Sequence, residues 1–151
     1  MMSTKAPRPY LRKDEMSQFR KVTDRFSVSP QITAEEARAA ADAGFALIIQ
    51  NRPEAETEGQ PHGAEIEAAA RAGGADYLFL PVVGRPTPEQ AKAQAEAVAA
   101  AKGPVLAFCR SGTRSILAWA TGEALAGTRT PDELSRLAAD AGYDIGPALP
   151  R

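Results

Sequence analysis

Three short apolar runs recur along the chain between helix-like stretches: residues 45–49 (Phe-Ala-Leu-Ile-Ile), 77–80 (Tyr-Leu-Phe-Leu) and 105–108 (Val-Leu-Ala-Phe). Continuous runs this short read as strands, because a strand covered on both faces needs no polar alternation. Thr33 stands three residues before Glu36, Thr87 before Gln90, and Thr130 before Glu133. In each pair the threonine hydroxyl can accept from the third helical amide while the longer side chain reaches back to the threonine amide. Pro88 and Pro131 fall at the first helical position, where a missing N–H costs nothing. Gly44, Gly73-Gly74 and Gly103-Pro104 end the helices. A short strand at 26–28, a helix over 64–72 and another from Arg114 or Ser115 to about Ala126 complete the pattern. The order is strand then helix, four times, followed by a last helix from Thr130 to Gly142. Such alternation predicts a single α/β domain with a mostly parallel central sheet flanked by helices. Residues 1–18 are polar, contain Pro7 and Pro9, and read as an N-terminal arm to a catalytic domain over 19–151.

Composition narrows what such a domain does. Of the 44% apolar residues, 31 are alanine, which favours thin helices packed closely. One cysteine, Cys109, excludes an internal disulfide, a multi-cysteine zinc site and a CxxC redox pair within this sequence. One histidine, His62, excludes a multi-histidine metal cluster, so no metal and no cofactor are expected. A net charge of -1 argues against nucleic acid and against a polybasic membrane anchor. The longest apolar stretch, 77–83, is too short to span a bilayer and contains Pro81. The first 20 residues hold no apolar run of the signal-peptide kind. A cytoplasmic protein with a reduced thiol is the expectation.

Cys109 opens the segment Cys-Arg-Ser-Gly-Thr-Arg-Ser, residues 109–115, between the last strand and a helix. In parallel sheets ligands bind at the carboxyl ends of strands, which is where this cysteine falls. A loop of this kind can turn successive amides inward as an anion nest, with Gly112 supplying the positive φ the curl requires. The following helix adds its positive N-terminal end. Arg110 and Arg114 add forked cationic donors, and Ser111, Thr113 and Ser115 add hydroxyls. Such surroundings favour the thiolate, a poised nucleophile. None of the six residues after Cys109 is a core type, which weighs against a merely buried cysteine.

At these residues the chain resembles the beta-lactamase hydrolase-like protein, phosphatase-like domain family, whose members are also described as candidate sulfurtransferases. The resemblance runs from about Phe26 to Gly142. It is carried by residues 27–33 (Ser-Val-Ser-Pro-Gln-Ile-Thr), 51–53 (Asn-Arg-Pro), 80–82 (Leu-Pro-Val), the cysteine loop and 141–143 (Ala-Gly-Tyr). It implies a fold like that of dual-specificity and tyrosine phosphatases, and a thiolate catalyst. Tyrosine phosphatases place His before the cysteine and Arg six positions after it, whereas here Phe108 and Ser115 stand there and Arg114 comes one residue early. They also use an aspartic acid on a neighbouring loop. Residues 83–90 contain no Asp, and Glu89 is better explained as a helix first-turn carboxylate. Rhodanese-type sulfurtransferases carry Cys-Arg-x-Gly-x-Arg/Thr, which residues 109–114 match at every fixed position.

Sulfur transfer is therefore the first expectation. Cys109 would carry a persulfide, Arg114 would serve it, and Arg110, Ser111, Gly112, Thr113, Ser115 and Arg52 would bind the anion. The partners would be a small anionic sulfur donor and an external thiol acceptor, since the sequence has no second cysteine to discharge the first. The alternative is a phosphatase acting on a phosphoester through a Cys109 phospho-intermediate. The third reading is a non-catalytic anion- or protein-binding module. Arg52 either contacts the anion or pairs with Glu54 or Glu56. Asn51 is expected to tie the loop backbone. The charges at 54–58 read as a solvated face, and Trp119 as core or a protein contact.

Overall fold

The structure, a computed structural model, describes residues 18–150. The expected arm therefore lies outside the described residues except for Gln18. Five strands form one sheet: β1 (Arg20–Thr23), β2 (Phe26–Ser29), β3 (Leu47–Gln50), β4 (Asp76–Phe79) and β5 (Val105–Phe108). Their spatial order is β1-β2-β5-β3-β4, with β1 antiparallel to β2 and all other pairings parallel. Among the described residues the helices are α1 (Ala34–Asp42), α2 (Gly63–Ala72), α3 (Pro88–Ala100), α4 (Thr113–Ala126) and α5 (Pro131–Asp140), followed by a short 3-10 turn at Gly146–Ala148. The single α/β domain with a mostly parallel sheet is as the sequence pattern implies.

All three threonine caps form in both directions. Thr33, Thr87 and Thr130 each accept from the amide of Glu36, Gln90 and Glu133, and each donates its own amide to that residue's side chain. Alternation along the central strands then sorts side chains onto two faces. Ile48, Leu106 and Phe108 pack with Ile32, Ala37 and Ala40 of the α1 side and with Ile66 and Ala70 of α2. Ile49, Val105 and Ala107 face Ile116, Trp119 and Ala120 of α4 and Leu134 and Ala138 of α5. Trp119 is core: its ring stacks on Phe26 at 5.0 Å, with the Arg129 guanidinium 5.7 Å from its centroid. The alanine content has the use expected of it. Helices α3 and α4 approach so closely that a Cβ on Gly122 would collide with the Ala91 carbonyl.

Two details depart from the sequence expectation. Strand β1 was not anticipated. Its Arg-Lys-Val-Thr sequence is a polar edge strand of which Val22 alone is buried, so it carries no apolar run. Strand β4 is the opposite edge, and its Phe79 is exposed rather than covered on both faces. The centre of the sheet is β5. Its register with β3 sets Gln50 beside Phe108, and its register with β2 sets Ser29 beside the same residue. Three chain segments therefore leave the sheet together at the carboxyl edge, after Ser29, Gln50 and Phe108.

Candidate active site

Cys109 follows β5 and is wholly buried. Its amide donates to the Ser29 carbonyl at 3.4 Å, so the ladder of the sheet holds the residue that begins the loop. On the next residue, the Arg110 carbonyl accepts from the Gln31 amide at 3.2 Å. The chain then turns through Gly112, at φ +97°, into α4. A side chain there would be strained by the backbone alone. It would also be blocked by space, because a Cβ would collide with Tyr143 Oη and lie 2.9 Å from its Cζ. This curl brings the Gly112 amide 3.1 Å from Cys109 Sγ, to which it donates. Ser111 Oγ accepts from the Thr113 amide at 3.3 Å and donates to Thr113 Oγ at 3.0 Å, closing the first turn of the helix.

Arg114, in that first turn, is held on two sides. Its Nη1 donates to the Val82 carbonyl at 2.8 Å, and Nη1 and Nη2 grip Glu56 at 2.7 and 2.9 Å. A guanidinium has five N–H donors. Glu56 takes the two between Nη1 and Nη2, and Val82 takes the other on Nη1. The remaining two, Nε–H and the second Nη2–H, lie parallel on one edge outside the contacts with Glu56 and Val82, and Arg114 also interacts with the Cys109 sulfur. That edge is the side-on fork that matches two oxygens of an oxyanion. The pKa of Arg114 is raised, first by its hydrogen bonds to Glu56 and also, against burial, by the neighbouring Cys109 sulfur.

Glu56 itself is held to a pKa of about 2, mainly by its hydrogen bond to Arg114 and then, against partial burial, by Arg52. It is therefore a carboxylate throughout the neutral range and has no proton to donate there. Arg52 is 4% exposed and approaches the same carboxylate through Nε at 2.9 Å. Its Nη1 and Nη2 donate to Gln31 Oε1 at 3.1 Å and Thr57 Oγ at 3.2 Å. Of the two uses expected for Arg52, the structure shows the pairing with Glu56. Arg52 is buried while Glu56 is exposed, and Arg52 meets the site through Glu56.

The remaining candidates separate cleanly. Arg110, Ser111 and Thr113 are exposed on the loop, and no described residue pairs with the Arg110 side chain. Ser115 is wholly buried beneath it, with its carbonyl accepting from Gln94 Nε2 at 2.9 Å and its hydroxyl unpartnered among the described residues. Asn51 ties backbone as expected: Nδ2 donates to the Leu80 carbonyl at 2.9 Å and to Gln94 Oε1 at 2.8 Å. Gln94 thus links the ends of β3 and β4 to the first turn of α4. Arg85 is turned to the Ala148 carbonyl at 2.7 Å, and His62 caps α2 by its backbone only. Glu89 sits in the exposed first turn of α3.

Sequence reasoning missed two residues. Glu56 lies on the exposed face expected of the charges at 54–58, and it also bridges Arg52 and Arg114. Tyr143 donates its hydroxyl to the Ser111 carbonyl at 2.9 Å, on the cysteine loop itself. Glu56 had no local signal, since 58 positions separate it from Arg114. Tyr143 stood in one of the segments carrying the family resemblance, but nothing in the sequence gave it a contact.

A buried cysteine after the central strand of a parallel sheet, a positive-φ glycine, and an arginine in the next helical turn define a cysteine-loop domain of protein-tyrosine-phosphatase-like fold. The solved structure of PTPMT1 aligns over 84% of each chain with a TM-score of 0.67 at 18% identity, which speaks to fold alone. The chain belongs to the family described as the beta-lactamase hydrolase-like protein, phosphatase-like domain, whose profile matches residues 18–126. A beta-lactamase hydrolase-like protein of Xylella fastidiosa is 35% identical over 129 residues, covering 85% of this chain. This chain spans 30% of the length of that relative. The crystal structure of a candidate phosphatase from Neisseria meningitidis is similar at 33% identity and a TM-score of 0.74, over 83% of this chain and 89% of that one. Among the described residues no helix is long and apolar enough to cross a membrane.

Proposed function

We propose that the chain is a cysteine-dependent hydrolase of phosphate monoesters that carry good leaving groups. The observation that carries this reading is Arg114 beside the Cys109 sulfur, with a side-on edge that neither Glu56 nor Val82 occupies. Two parallel N–H donors fit two non-bridging oxygens of a phosphoryl group. The first-turn amides of α4, which have no partner within a helix, suit the third. The Cys109 thiolate attacks phosphorus, the ester P–O bond breaks, and the alcohol departs with its electron pair, leaving phosphate on sulfur. Water then cleaves the P–S bond and restores the thiolate. Arg114 stabilises the charge on the transferring group throughout. Glu56 keeps Arg114 in place and has no proton to give at neutral pH, and residues 83–87 offer no carboxylic acid. The leaving group must then depart unprotonated, which limits substrates to aryl or similarly acidic leaving groups. The similarity to proteins described as phosphatases supports this reading over the one favoured by the loop sequence alone.

The second reading, sulfur transfer, is favoured by the Cys-Arg-x-Gly-x-Arg spacing and by the same lack of an acid. There the thiolate attacks the outer sulfur of a donor such as thiosulfate, the S–S bond breaks and sulfite leaves. An external thiol or cyanide then takes the sulfur from Cys109. Turnover of an aryl phosphate that vanishes in Cys109→Ser supports the first reading. Thiosulfate-to-cyanide transfer with no phosphate release would replace it with the second, and activity in neither assay would leave a binding module.

A further inference from the structure

The cysteine loop is held from outside as well as from the sheet. The peptide group joining Ser111 to Gly112 is used at both ends. Its N–H points to Cys109 Sγ at 3.1 Å, and its C=O accepts from Tyr143 Oη at 2.9 Å. In a planar trans peptide the N–H and C=O point in opposite directions, so fixing one fixes the other. The Tyr143 ring lies against the α-carbon of Gly112 on the same side, as the blocked Cβ position shows. Tyr143 comes from the segment after α5, 32 positions beyond Ser111, and it does not contact the sulfur through a hydrogen bond of its own.

We propose that Tyr143 is the positioning residue of the cysteine loop, holding the Ser111–Gly112 peptide so that its N–H is aimed at the reacting sulfur. The inference rests on the reading of Cys109 as the reacting group. Its physical content is twofold. The tyrosine hydroxyl removes the freedom of the peptide to flip, a motion that a glycine on its C-terminal side makes easy. A donor on the carbonyl also polarises the peptide and strengthens its N–H as a partner for negative sulfur. Burial raises the pKa of the Tyr143 phenol, with the Arg20 charge opposing and the Cys109 charge adding to the rise, so the hydroxyl keeps the proton it donates. Gly112 is required on both counts, because any Cβ would occupy the place of the hydroxyl.

The test compares the wild-type protein with Tyr143→Phe, which keeps the ring and removes the donor. Alkylation of Cys109 by iodoacetamide is followed against pH in the absence of substrate, alongside thermal unfolding and aryl phosphate turnover. The expected result is a rise of about 0.3–1 pH unit in the alkylation midpoint, the scale of one weakened hydrogen bond to sulfur. Turnover should fall about 2–10-fold by the same scale, with little change in melting temperature. A residue that only packs the end of α5 would move the melting temperature and leave the alkylation profile in place. Superimposable profiles overturn the inference. The alkylation comparison needs no turnover, so an inert wild type would overturn the hydrolase reading and still leave the profiles to decide the role of Tyr143. Should Tyr143→Phe fold poorly, Gly112→Ala provides the second handle. Removing the hydroxyl in the double variant should recover stability relative to Gly112→Ala alone, and a further additive loss contradicts the contact.

Discussion

Glu56 and Arg114 lie 58 positions apart in sequence yet meet as a two-pronged ion pair at 2.7 and 2.9 Å. The pairing follows from the sheet order. Strands β3 and β5 are neighbours in parallel register, so the loops that leave Gln50 and Phe108 emerge side by side. The carboxylate takes the donors between Nη1 and Nη2 of Arg114 and leaves the Nε–H edge of the guanidinium outside the ion pair. It anchors Arg52 through the same oxygen that meets Nη2.

Replacing Glu56 by Gln should lower aryl phosphate turnover by about 10–100-fold, because Arg114 loses the partner that fixes its orientation. The loss of stability should be modest, about 1 kcal/mol, as the pair is partly solvated. The folded-state pKa of Glu56 lies below its ordinary value of 4.5, so its ionised form stabilises the fold above about pH 4.5. That contribution is lost as pH falls towards about 2. The gap in melting temperature between wild type and Glu56→Gln should therefore close across that window. A gap that persists to the acid end would show that the charge of Glu56 contributes nothing.

Gly112→Ala combines a positive φ with a blocked Cβ position. It should cost about 1–3 kcal/mol of stability, the range for a strained backbone residue. Activity should fall by more than stability accounts for, since the amide that points at Cys109 Sγ must move. Thermal unfolding and turnover of the same preparation check the two effects separately.

Gly122→Ala tests the packing of the alanine-rich helices away from the chemistry. A Cβ there would collide with the Ala91 carbonyl and crowd Ala95 at 2.8 Å. Overpacking of this kind costs about 1–3 kcal/mol. The variant should melt earlier while its turnover, measured well below that temperature, stays within about twofold of wild type, because ordinary substitutions away from a site act through stability.

With no carboxylic acid in residues 83–87 and Glu56 ionised, no described residue is assigned to protonate the leaving group, and turnover should depend steeply on leaving-group acidity. A series of substituted phenyl phosphates should lose activity progressively as the phenol becomes less acidic, and alkyl phosphates should be nearly inert. A flat series would show that a general acid acts after all.

Much of the fold was legible because its signals are local. Each Thr-x-x-Glu/Gln box formed a reciprocal cap, and each short apolar run gave a strand. Strand β1 was invisible because Arg20, Lys21 and Thr23 carry no apolar pattern, and its place at the sheet edge comes from hairpin pairing to β2. In the site, Cys109, Gly112 and Arg114 were legible as one contiguous segment. The roles of Glu56 and Tyr143 were not, because each acts on that segment from an element remote in sequence. The register of β3 with β5 and the placing of the segment after α5 decide those contacts, and neither is written in a local pattern. Ser115 read as a hydroxyl of the anion site, but helical geometry turns it inward, below the loop.

The central claim is that Cys109 takes a phosphoryl group. Rapid acid quench of the enzyme during turnover of an aryl phosphate, followed by mass spectrometry of the peptide containing Cys109, tests it most directly. A gain of one phosphoryl group on Cys109, absent in Cys109→Ser, is the predicted result. An unmodified Cys109 during turnover, or a gain of one sulfur after thiosulfate with no phosphoryl adduct from any ester, would contradict it.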